Sequence, residues 1–549
     1  MVMMEAERPA RLAGADLHPF GGLDVWQLLL NRVAVGGSRP FVTWAPFEGE
    51  PRTWTYGELA RDAAAVAAGL AGRGVRRGDR VLIHLENSPE FVVSWFACAA
   101  LGAVAVTTNT RSVGDELAYY AGDCGAVAAI TQPKFADLVG ASAPGLRFVV
   151  STDNDSGVPA AVTGDSFAAL AGDPDELAGR VCDPLAPMSV QYTSGTTSRP
   201  KGVLWTQANA LWGARTNAAH ETLRPDDCQL VYLPLFHTNA LAYSMLATLW
   251  VGARLVLVPK WSSSRFWDIS LRHGCTFVSL VGLSQRFLLG SEAPAGHRYR
   301  LFGAGVCDLP TDERYGVKTI GWWGMTETIS TPVIGDAYLP NRPLSMGRPA
   351  AEYEVRVVGD DEVTPVEPEG TGALQVRGIR GLSLFAEYLN QPEATAASFD
   401  EQGWFRTGDL VTAHADGHLS FANREKDMLR VGAENVSASE VERVILGVPG
   451  VAEAAVVGRA DDKLDEVAVA FIRAEDPTAA DRVLSACRGL LAEFKVPRAV
   501  YVVREMPRST LSKIDKKELR TVAHVDGDRE AAQARWITSA ASDPSGDAE

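Results

Sequence analysis

One segment rich in glycine and hydroxyl residues constrains this chain more than any other. It runs from Tyr192 to Gly202 and reads Tyr-Thr-Ser-Gly-Thr-Thr-Ser-Arg-Pro-Lys-Gly, after a predicted strand over 187–192 and ahead of a helical pattern that opens at Thr206. Small residues let backbone N–H groups approach a polyphosphate, and a lysine adds a compact positive charge. The pattern predicts a phosphate-binding turn formed by Thr193, Ser194, Gly195, Thr196, Thr197 and Lys201.

Two other interpretations of this segment are less favoured. A Walker A loop ends in Gly-Lys-Ser/Thr, and that ending is missing here. A flexible surface linker has a similar composition. A linker, however, needs neither a buried-type strand before it nor the ending Pro200-Lys201-Gly202. The segment therefore indicates nucleotide binding.

The size and charge of the chain exclude several classes of function. At 549 residues it exceeds what one hydrophobic core supports, so two or more domains are expected. A formal net charge of −16 argues against a nucleic-acid-binding protein. We find no run of about 18 apolar residues and no apolar signal-peptide core, so no membrane association and a cytoplasmic location are expected. The seven cysteines lack metal-ligand spacing and are expected to be reduced.

Strand-like and helix-like segments alternate through the first half of the chain. Apolar runs at 80–85 and 103–106 indicate buried strands, and the segments at 55–72 and 89–101 have helical spacing. Strands that alternate with helices predict an α/β fold with a parallel sheet covered on both faces. Short β-type runs between 340 and 400 predict a small β-rich subdomain.

Two later strands end in turns that contain glycine. The first lies at 301–305, and the second, at 319–327, reads Thr-Ile-Gly-Trp-Trp-Gly-Met-Thr-Glu. Turns of this kind let a flat ligand lie against the backbone. Further along, Asp409 follows Gly408. A carboxylate placed beside glycine can take both hydroxyl groups of a ribose.

These motifs, in this order, resemble those of the adenylate-forming enzymes, the superfamily of acyl-CoA synthetases, luciferases and peptide-synthetase adenylation domains. The resemblance covers about residues 20–522. The form Thr-Thr-Ser-Arg-Pro-Lys-Gly, with Ser198 where most members carry glycine, is most similar to carnitine-type and medium- or large-acid CoA ligases.

The resemblance implies how the chain divides into domains. It predicts a large N-terminal domain of stacked βαβ sheets with a small β-rich subdomain, hinged to a small mobile α/β C-terminal domain. The tail lacks apolar periodicity, which predicts no regular structure there. The expected parts are a lead-in over 1–20, an ATP- and acyl-binding domain over 21–423, the mobile domain over 424–525 and the tail over 526–549.

The resemblance also implies an ATP site. Glu327 would hold Mg²⁺, which prefers oxygen ligands from a carboxylate and phosphates. Trp323 would flank the adenine, Asp409 would bind the ribose, and Arg424 would contact ribose or phosphate. The alternative is that the tryptophans are core residues and Glu327 is solvated. The other implied ATP-binding residues are Gly303, Ala304, Gly305, Trp322, Gly324, Met325 and Thr326.

His237 follows a predicted strand and precedes a predicted helix over 240–249. Ligands of open α/β sheets bind at such turns. The resemblance implies that His237 is a catalytic gate between ATP and the carboxylate, and that the helix forms one wall of the acyl pocket. A histidine that merely begins a helix is the alternative. The implied substrate-binding residues are His237, Asn239, Gly282, Trp322 and Gly324.

Three motifs near the C-terminal end resemble the moving parts of the family. Lys426 would be the hinge, and the turn Gly432-Ala433-Glu434 would line the CoA channel. Lys513 would be the catalytic lysine that reaches both the carboxylate and the α-phosphate; the alternative is a surface lysine. Ala433 replaces a glycine, and its methyl group puts the CoA step in doubt. The other departures from the family's glycines are Ser198, Asn423 and Ser512.

The implied reaction uses ATP, Mg²⁺ and CoA. The carboxylic acid would become acyl-AMP with release of pyrophosphate, and rotation of the C-terminal domain would then permit thioester formation. One alternative is an enzyme that stops at acyl-AMP or passes it to an acyl carrier protein. A second is a nucleotide-binding regulator without activity. A homodimer is compatible with the sequence, which leaves the oligomeric state open.

The acyl group is the least determined part of the reaction. The predicted pocket offers no aspartate to hold an amino group, which favours an apolar or bulky acid over an amino acid. The overall likeness points to synthetases that activate diterpenoid acids in platensimycin-type antibiotic biosynthesis, and fatty, aryl and carnitine-like acids stay open. The expected pocket residues are Leu241, Tyr243, Val281, Gly282, Trp322 and Ile329.

Overall fold

Two large sheets of mostly parallel strands form the N-terminal part of the protein. The helix Pro89–Leu101 lies between them and is buried along nearly its whole length. It packs on strands of the first sheet, and its Phe96 meets Phe41 of the second sheet edge to face at 6.3 Å. The expected α/β class is therefore confirmed. The computed structural model describes residues 18–193, 199–424, 428–432, 434–507, 514–523 and 537–542.

The two large sheets have eight and nine strands in the described residues. In spatial order, the first contains Glu387–Tyr388, Lys201–Thr206, Pro187–Thr193, Val104–Thr107, Arg80–His84, Ala126–Thr131, Phe148–Ser151 and Asp165–Ser166. The second contains Arg348–Pro349, Val333–Ile334, Lys318–Trp323, Leu301–Ala304, Phe277–Ser279, Cys228–Val231, Arg254–Leu257, Pro40–Trp44 and Arg52–Thr55.

Local sequence signals account for where the helices begin and end. Tyr56–Gly72 begins after Thr55, which forms a reciprocal capping box with Glu58, and its apolar residues Leu59, Ala63, Val66 and Leu70 are buried. Pro89–Leu101 has proline in its first turn and ends at Gly102, whose φ is 75°. The other longer α-helices are Val25–Gly36, Gly114–Cys124, Pro133–Ser142, Gln207–His220, Ser263–His273, Gly282–Gly290, Ala438–Leu446, Ala479–Leu490 and Lys516–Ala523.

Two smaller sheets follow. The β-rich subdomain is an antiparallel sheet of Glu354–Val358, Gly370–Arg377, Trp404–Ala413 and Leu419–Arg424, as the short β-type runs predict. The C-terminal sheet contains Met428–Val431, Glu434–Ser437, Val451–Asp461, Asp465–Ala474, Ala499–Val503 and Ile537–Ser542. The buried apolar residues of this sheet and of the helices packed on it, from Leu429 to Ala523, form clusters separate from the large core that ends at Leu419. The C-terminal part therefore has its own core.

Two segments differ from the sequence prediction. The predicted α-helix over 240–249 is a π-helix at Asn239–Leu246, followed by a short α-helix at Ala247–Val251. Apolar spacing alone does not separate these helix types, and π-helical turns are frequent at functional sites. Within the predicted tail, Ile537–Ser542 pairs antiparallel with Ala499–Val503. That pairing depends on a distant strand, so local composition does not show it.

Two expectations from composition can be compared with the structure. All seven cysteines are free thiols, and six of them are buried. Over the described ranges, every helix falls short of the length and apolar character needed to cross a bilayer.

Candidate active site

Trp323 and Asp409 are joined by a buried hydrogen bond. Trp323 ends the strand Lys318–Trp323, and its Nε1–H donates to Asp409 Oδ2 at 2.8 Å. Asp409 follows Gly408, whose φ of 74° is left-handed and suits glycine. Because the tryptophan comes from the second large sheet and the aspartate from the β-rich subdomain, folding brings the residues expected at adenine and ribose side by side.

Glu327 lies in a short 3₁₀ turn, Thr326–Thr328, and is 4% exposed. Tyr388 Oη donates to Glu327 Oε1 at 2.8 Å. The ammonium group of Lys201 lies 4.5 Å from the centre of the Tyr388 ring. The cation expected at phosphate and the carboxylate expected at Mg²⁺ therefore share one tyrosine. Sequence reasoning misses Tyr388, because it reaches the site only by pairing with Val203 in the neighbouring strand.

The surroundings of Glu327 fit Mg²⁺. This ion takes oxygen ligands and is often held by one or two carboxylates together with substrate phosphates. Glu327 supplies a carboxylate, and its buried position limits where that carboxylate can point. In the described parts of the chain, no group of three or more His, Cys, Asp or Glu side chains is arranged for a metal. The single carboxylate of Glu327 is a donor that suits an ion shared with nucleotide phosphates.

A short polar chain leads from Thr326 to the end of the strand Pro187–Thr193. Thr238 Oγ1 donates to Gln191 Oε1 at 3.0 Å and lies 3.2 Å from Thr326 Oγ1. Gln191 Nε2 and Asn239 Oδ1 are buried and have no hydrogen-bond partner among the described residues. A buried polar atom without a partner is costly, so these two atoms fit oxygen or N–H groups of a ligand. Sequence reasoning finds Asn239 and misses Gln191 and Thr238.

His237 meets a residue of the C-terminal domain. Its backbone N–H donates to Pro234 O at 3.0 Å, and its Nε2 lies 3.2 Å from Glu434 Oε2. Burial raises the pKa of Glu434, but the charge of His237 and side-chain hydrogen bonds outweigh burial and hold that pKa below its usual value. His237 therefore does more than begin a helix, because it contacts the turn expected at the CoA channel.

Two glycines leave space for the aromatic side chains that form walls of the expected acyl pocket. A Cβ atom at Gly303 would lie 1.8 Å from the Trp322 ring, and one at Gly324 would lie 2.4 Å from Tyr243 Oη. The Trp322 and Tyr243 rings pack edge to face with centroids 5.8 Å apart. Any larger residue at either glycine would displace an aromatic wall. The predicted pocket residues Trp322 and Tyr243 and the predicted substrate-binding residue Gly324 thus lie together.

Ile329 has a backbone conformation that its side chain disfavours. Its φ is 58°, and Ser330 N–H donates to Thr328 O at 2.5 Å across it, forming a γ-turn. The side chain is fully buried, and its Cγ2 lies 2.9 Å from where a Cβ atom on Gly213 would be. A positive φ is strained for a β-branched residue and tends to occur at functional sites. The sequence places Ile329 in the pocket but does not reveal this turn.

Other expected site residues lie beside these contacts or outside the described residues. Met325 N–H donates to Thr328 Oγ1 at 3.0 Å, and Gly432 has a φ of 63°. Thr193, Ala304 and Arg424 each end a strand, Gly305 follows Ala304, and Gly282 begins the helix Gly282–Gly290. The expected residues that lie outside the described ranges are Ser194, Gly195, Thr196, Thr197, Lys426, Ala433 and Lys513.

Two family models match this chain. The model for AMP-binding enzymes matches residues 30–389, and the model for the C-terminal domain of AMP-binding enzymes matches residues 440–513. A crotonobetaine/carnitine–CoA ligase of Salmonella agona is 31% identical over 525 residues, covering 91% of this chain and 99% of the relative.

Two solved structures of one enzyme superpose on this chain to different extents. The o-succinylbenzoate CoA synthetase of Bacillus subtilis, as a double mutant bound to a CoA product analogue, has a TM-score of 0.77 at 27% identity. That match covers 90% of this chain and 98% of the other. In complex with AMP, the same enzyme has a TM-score of 0.63 at 27% identity, with 91% and 98% covered.

The two family models cover most of the large domain and most of the C-terminal domain. The buried contacts of Trp323, Glu327 and Asp409 belong to the candidate site that the structure describes. The expectation of an ATP-dependent, AMP-forming acyl-CoA ligase is confirmed at the level of the family. The chain belongs to the family of AMP-binding enzymes.

Proposed function

We propose that this chain joins a carboxylic acid to CoA in two half-reactions at one site. First, a carboxylate oxygen attacks the α-phosphorus of ATP, the bond to the bridging oxygen breaks, and pyrophosphate leaves. Second, the CoA thiol gives its proton to water, the sulfur attacks the acyl carbon, the bond from that carbon to the phosphate oxygen breaks, and AMP leaves. The observation that carries the proposal is the set of buried contacts made by Trp323, Thr326, Glu327, Tyr388 and Asp409. We call these five residues the nucleotide wall.

In the first half-reaction, the nucleotide wall binds and orients ATP. The Asp409 carboxylate accepts hydrogen bonds from the ribose hydroxyl groups. Trp323 holds that carboxylate in place through its indole N–H and lies against the adenine. Thr326 and the neighbouring Gln191 donate to phosphate oxygens. Mg²⁺, when bound by Glu327 and phosphate oxygens, would neutralise negative charge on the phosphates.

Four further residues and one short segment complete the proposed machinery. Lys201 and the loop from Thr193 to Thr197 hold the phosphates, and Arg424 contacts ribose or phosphate. Lys513 stabilises the charge that develops as the carboxylate attacks. Lys426 is the hinge between a domain over 21–423 and a domain over 424–525. The separate apolar clusters on either side of residue 424 support this boundary.

The second half-reaction is supported by the arrangement of the two domains. One enzyme gives a TM-score of 0.77 with a CoA product analogue and 0.63 with AMP, against the same chain. A score over whole chains is sensitive to how two domains are placed. We infer that the present structure has the thioester-forming orientation, in which Glu434 contacts His237. This observation favours CoA transfer over an enzyme that stops at acyl-AMP.

The acid is proposed to be apolar at the end distant from its carboxylate. The side chains of Leu241, Tyr243, Trp322 and Ile329 are all buried and mostly apolar, so they offer no charge to bind an amino group. A diterpenoid, fatty, aryl or carnitine-like acid stays a prediction. An acyl carrier protein as acceptor, a homodimer and a cytoplasmic location also stay predictions.

Acid-dependent exchange of radiolabelled pyrophosphate into ATP tests the first half-reaction. We expect exchange with at least one acid of a panel containing acetate, octanoate, benzoate and carnitine. Lys513→Ala should lower it about 10²–10³-fold, the usual loss for one electrostatic catalytic group. Lys463→Ala, at an exposed position of the same domain, is the control and should leave exchange unchanged. No exchange with any acid, or full exchange in Lys513→Ala, would contradict the proposal.

A further inference from the structure

A buried cluster of three charged groups joins the two domains and shares no residue with the nucleotide wall. Lys495 Nζ lies 2.9 Å from Glu440 Oε1 and also donates to Glu116 Oε1. The three residues are 5%, 2% and 6% exposed, in that order. Lys495 and Glu440 belong to the C-terminal domain, whereas Glu116 lies in the helix Gly114–Cys124 of the large domain. This is a charged contact that forms only when the domains meet.

Glu116 is oriented before the C-terminal domain arrives. Its Oε2 accepts the backbone N–H of Val113 at 3.0 Å, which caps the start of the helix. The other oxygen is left to face Lys495. Because the helix already orders this side chain, docking costs less conformational entropy than a contact from a mobile glutamate would.

The cluster holds two carboxylates and one ammonium group. Burial raises the pKa of Glu440, and the charge of Lys495 only partly offsets that effect. Burial lowers the pKa of Lys495, but Glu440 and the other acidic neighbours more than restore it, so it is raised overall. Breaking a buried ion pair by removing one partner is costly, since the remaining charge is left uncompensated. Loss of Lys495 would leave two carboxylates facing each other.

The same face of the large domain carries the cluster and the contact with His237. The Arg111 guanidinium lies 5.8 Å from the ring of Phe494, next to Lys495. Arg111 and Asn109 also act on Glu434, the residue that contacts His237. The segment from Asn109 to Glu116 therefore contacts the C-terminal domain at two points. When the contact at Glu116 forms, Glu434 is brought to its position beside His237.

We propose that Glu116, Lys495 and Glu440 form a latch that positions the C-terminal domain for the thioester-forming half-reaction. Lys495 and Glu440 stay paired as the domain moves, and Glu116 joins them only in the docked orientation. The latch acts through Glu434 and His237 and touches neither ATP nor the acid. This inference rests on the proposed two-step function, but its test is independent of activity.

The test measures the distance between the domains in the full chain. Spin labels are attached at Val35→Cys and Leu446→Cys, which are both exposed positions. Pulsed electron paramagnetic resonance then measures the distance between the two labels. Cys182→Ser removes the one cysteine that is not buried. We expect a dominant distance that matches the present structure. Lys495→Met should lower the ratio of docked to undocked chains about tenfold or more, since a buried charge pair is broken.

Glu116→Gln separates docking from folding. Glutamine keeps an oxygen for the Val113 N–H and leaves Lys495 paired with Glu440, so we expect a smaller loss of docking than in Lys495→Met. Adding Glu116→Gln to Lys495→Met removes one of two facing carboxylates and should restore part of the docked population. A residue with only a structural role in the C-terminal domain would not give that restoration.

The control is Arg482→Met, which removes an exposed ion pair with Asp476 within the C-terminal domain and should not change the distance. Three results would overturn the latch: a native chain without the docked distance, an unchanged distribution in Lys495→Met, or no recovery in the double variant. Failure of acid-dependent exchange, with these distances as expected, would reject the proposed function and with it the role in thioester formation, while the docking contact itself would stand.

Discussion

The nucleotide wall and the domain seam are built from different contacts. We use seam for Glu116, His237, Glu434, Glu440 and Lys495. In the wall, neutral donors meet buried carboxylates within one domain, as with Trp323 and Asp409. In the seam, charged groups from two domains meet, and His237 keeps 39% of its side chain exposed.

This difference separates the two halves of the reaction. A wall whose contacts all lie within one domain persists wherever the C-terminal domain is, so it can serve every step that needs the nucleotide. Under the proposed rotation of the C-terminal domain, the seam contacts form in the docked orientation only. We therefore expect wall variants to impair acyl-AMP formation and seam variants to impair the transfer that follows.

The largest effect is expected in the wall. Glu327→Gln keeps a partner for Tyr388 but loses the charge proposed to hold Mg²⁺. Pyrophosphate exchange should fall about 10²–10³-fold, and a higher Mg²⁺ concentration should restore part of it. Exchange at varied Mg²⁺ measures this. Glu354→Gln, in an exposed pair with Arg377, is the control. A loss in Glu327→Gln that does not depend on Mg²⁺ would contradict the role of Glu327.

Acid should destabilise the large domain before the C-terminal one. Burial lowers the pKa of His84 from 6.5 to about 4, so the folded state disfavours its charged form. A lowered pKa gives stability that is full above pH 6.5 and is lost as the pH falls toward 4. The loss should reach about 3 kcal/mol of the free energy of unfolding. The C-terminal domain carries only His524, at its end.

Thermal unfolding at several pH values measures this effect. The transition of the large domain should move down between pH 6.5 and pH 4 in the native chain. In His84→Gln the movement should be smaller. His297→Gln, at a partly exposed position, serves as the control. Equal movement in native chain and His84→Gln would show that another group is responsible.

Most of the fold can be predicted from the sequence, because the signals that specify its helices and strands are local. The stripe of Leu59, Ala63, Val66 and Leu70 is buried as its spacing predicts, since that helix lies on the core. The strand Ile537–Ser542 is not predicted from the sequence, because it depends on pairing with a strand distant in the chain. The π-helix at Asn239–Leu246 was also hidden, since its apolar pattern resembles that of an α-helix.

The site divides in the same way. Trp323, Glu327 and Asp409 lie in motifs whose order along the chain makes them candidate site residues. Tyr388 and Gln191 carry no local signal and enter the site only through the sheet. The seam is the least visible part, because Glu116 and Lys495 are 379 positions apart and meet only when the domains dock.

The smallest effect is expected in the seam. Glu434→Gln keeps the shape of the side chain but removes the charge beside His237. The transfer step should slow by about three- to tenfold, as expected for the loss of a partly exposed contact between a carboxylate and an imidazole. Pyrophosphate exchange should stay within about twofold of the native rate.

The most direct test of this division measures both half-reactions on one preparation of Glu434→Gln. Exchange reports acyl-AMP formation, and reaction of preformed acyl-AMP with CoA in a single turnover reports the transfer. The account predicts native exchange with a slower transfer. A variant that loses both to the same extent, or loses exchange alone, would contradict it.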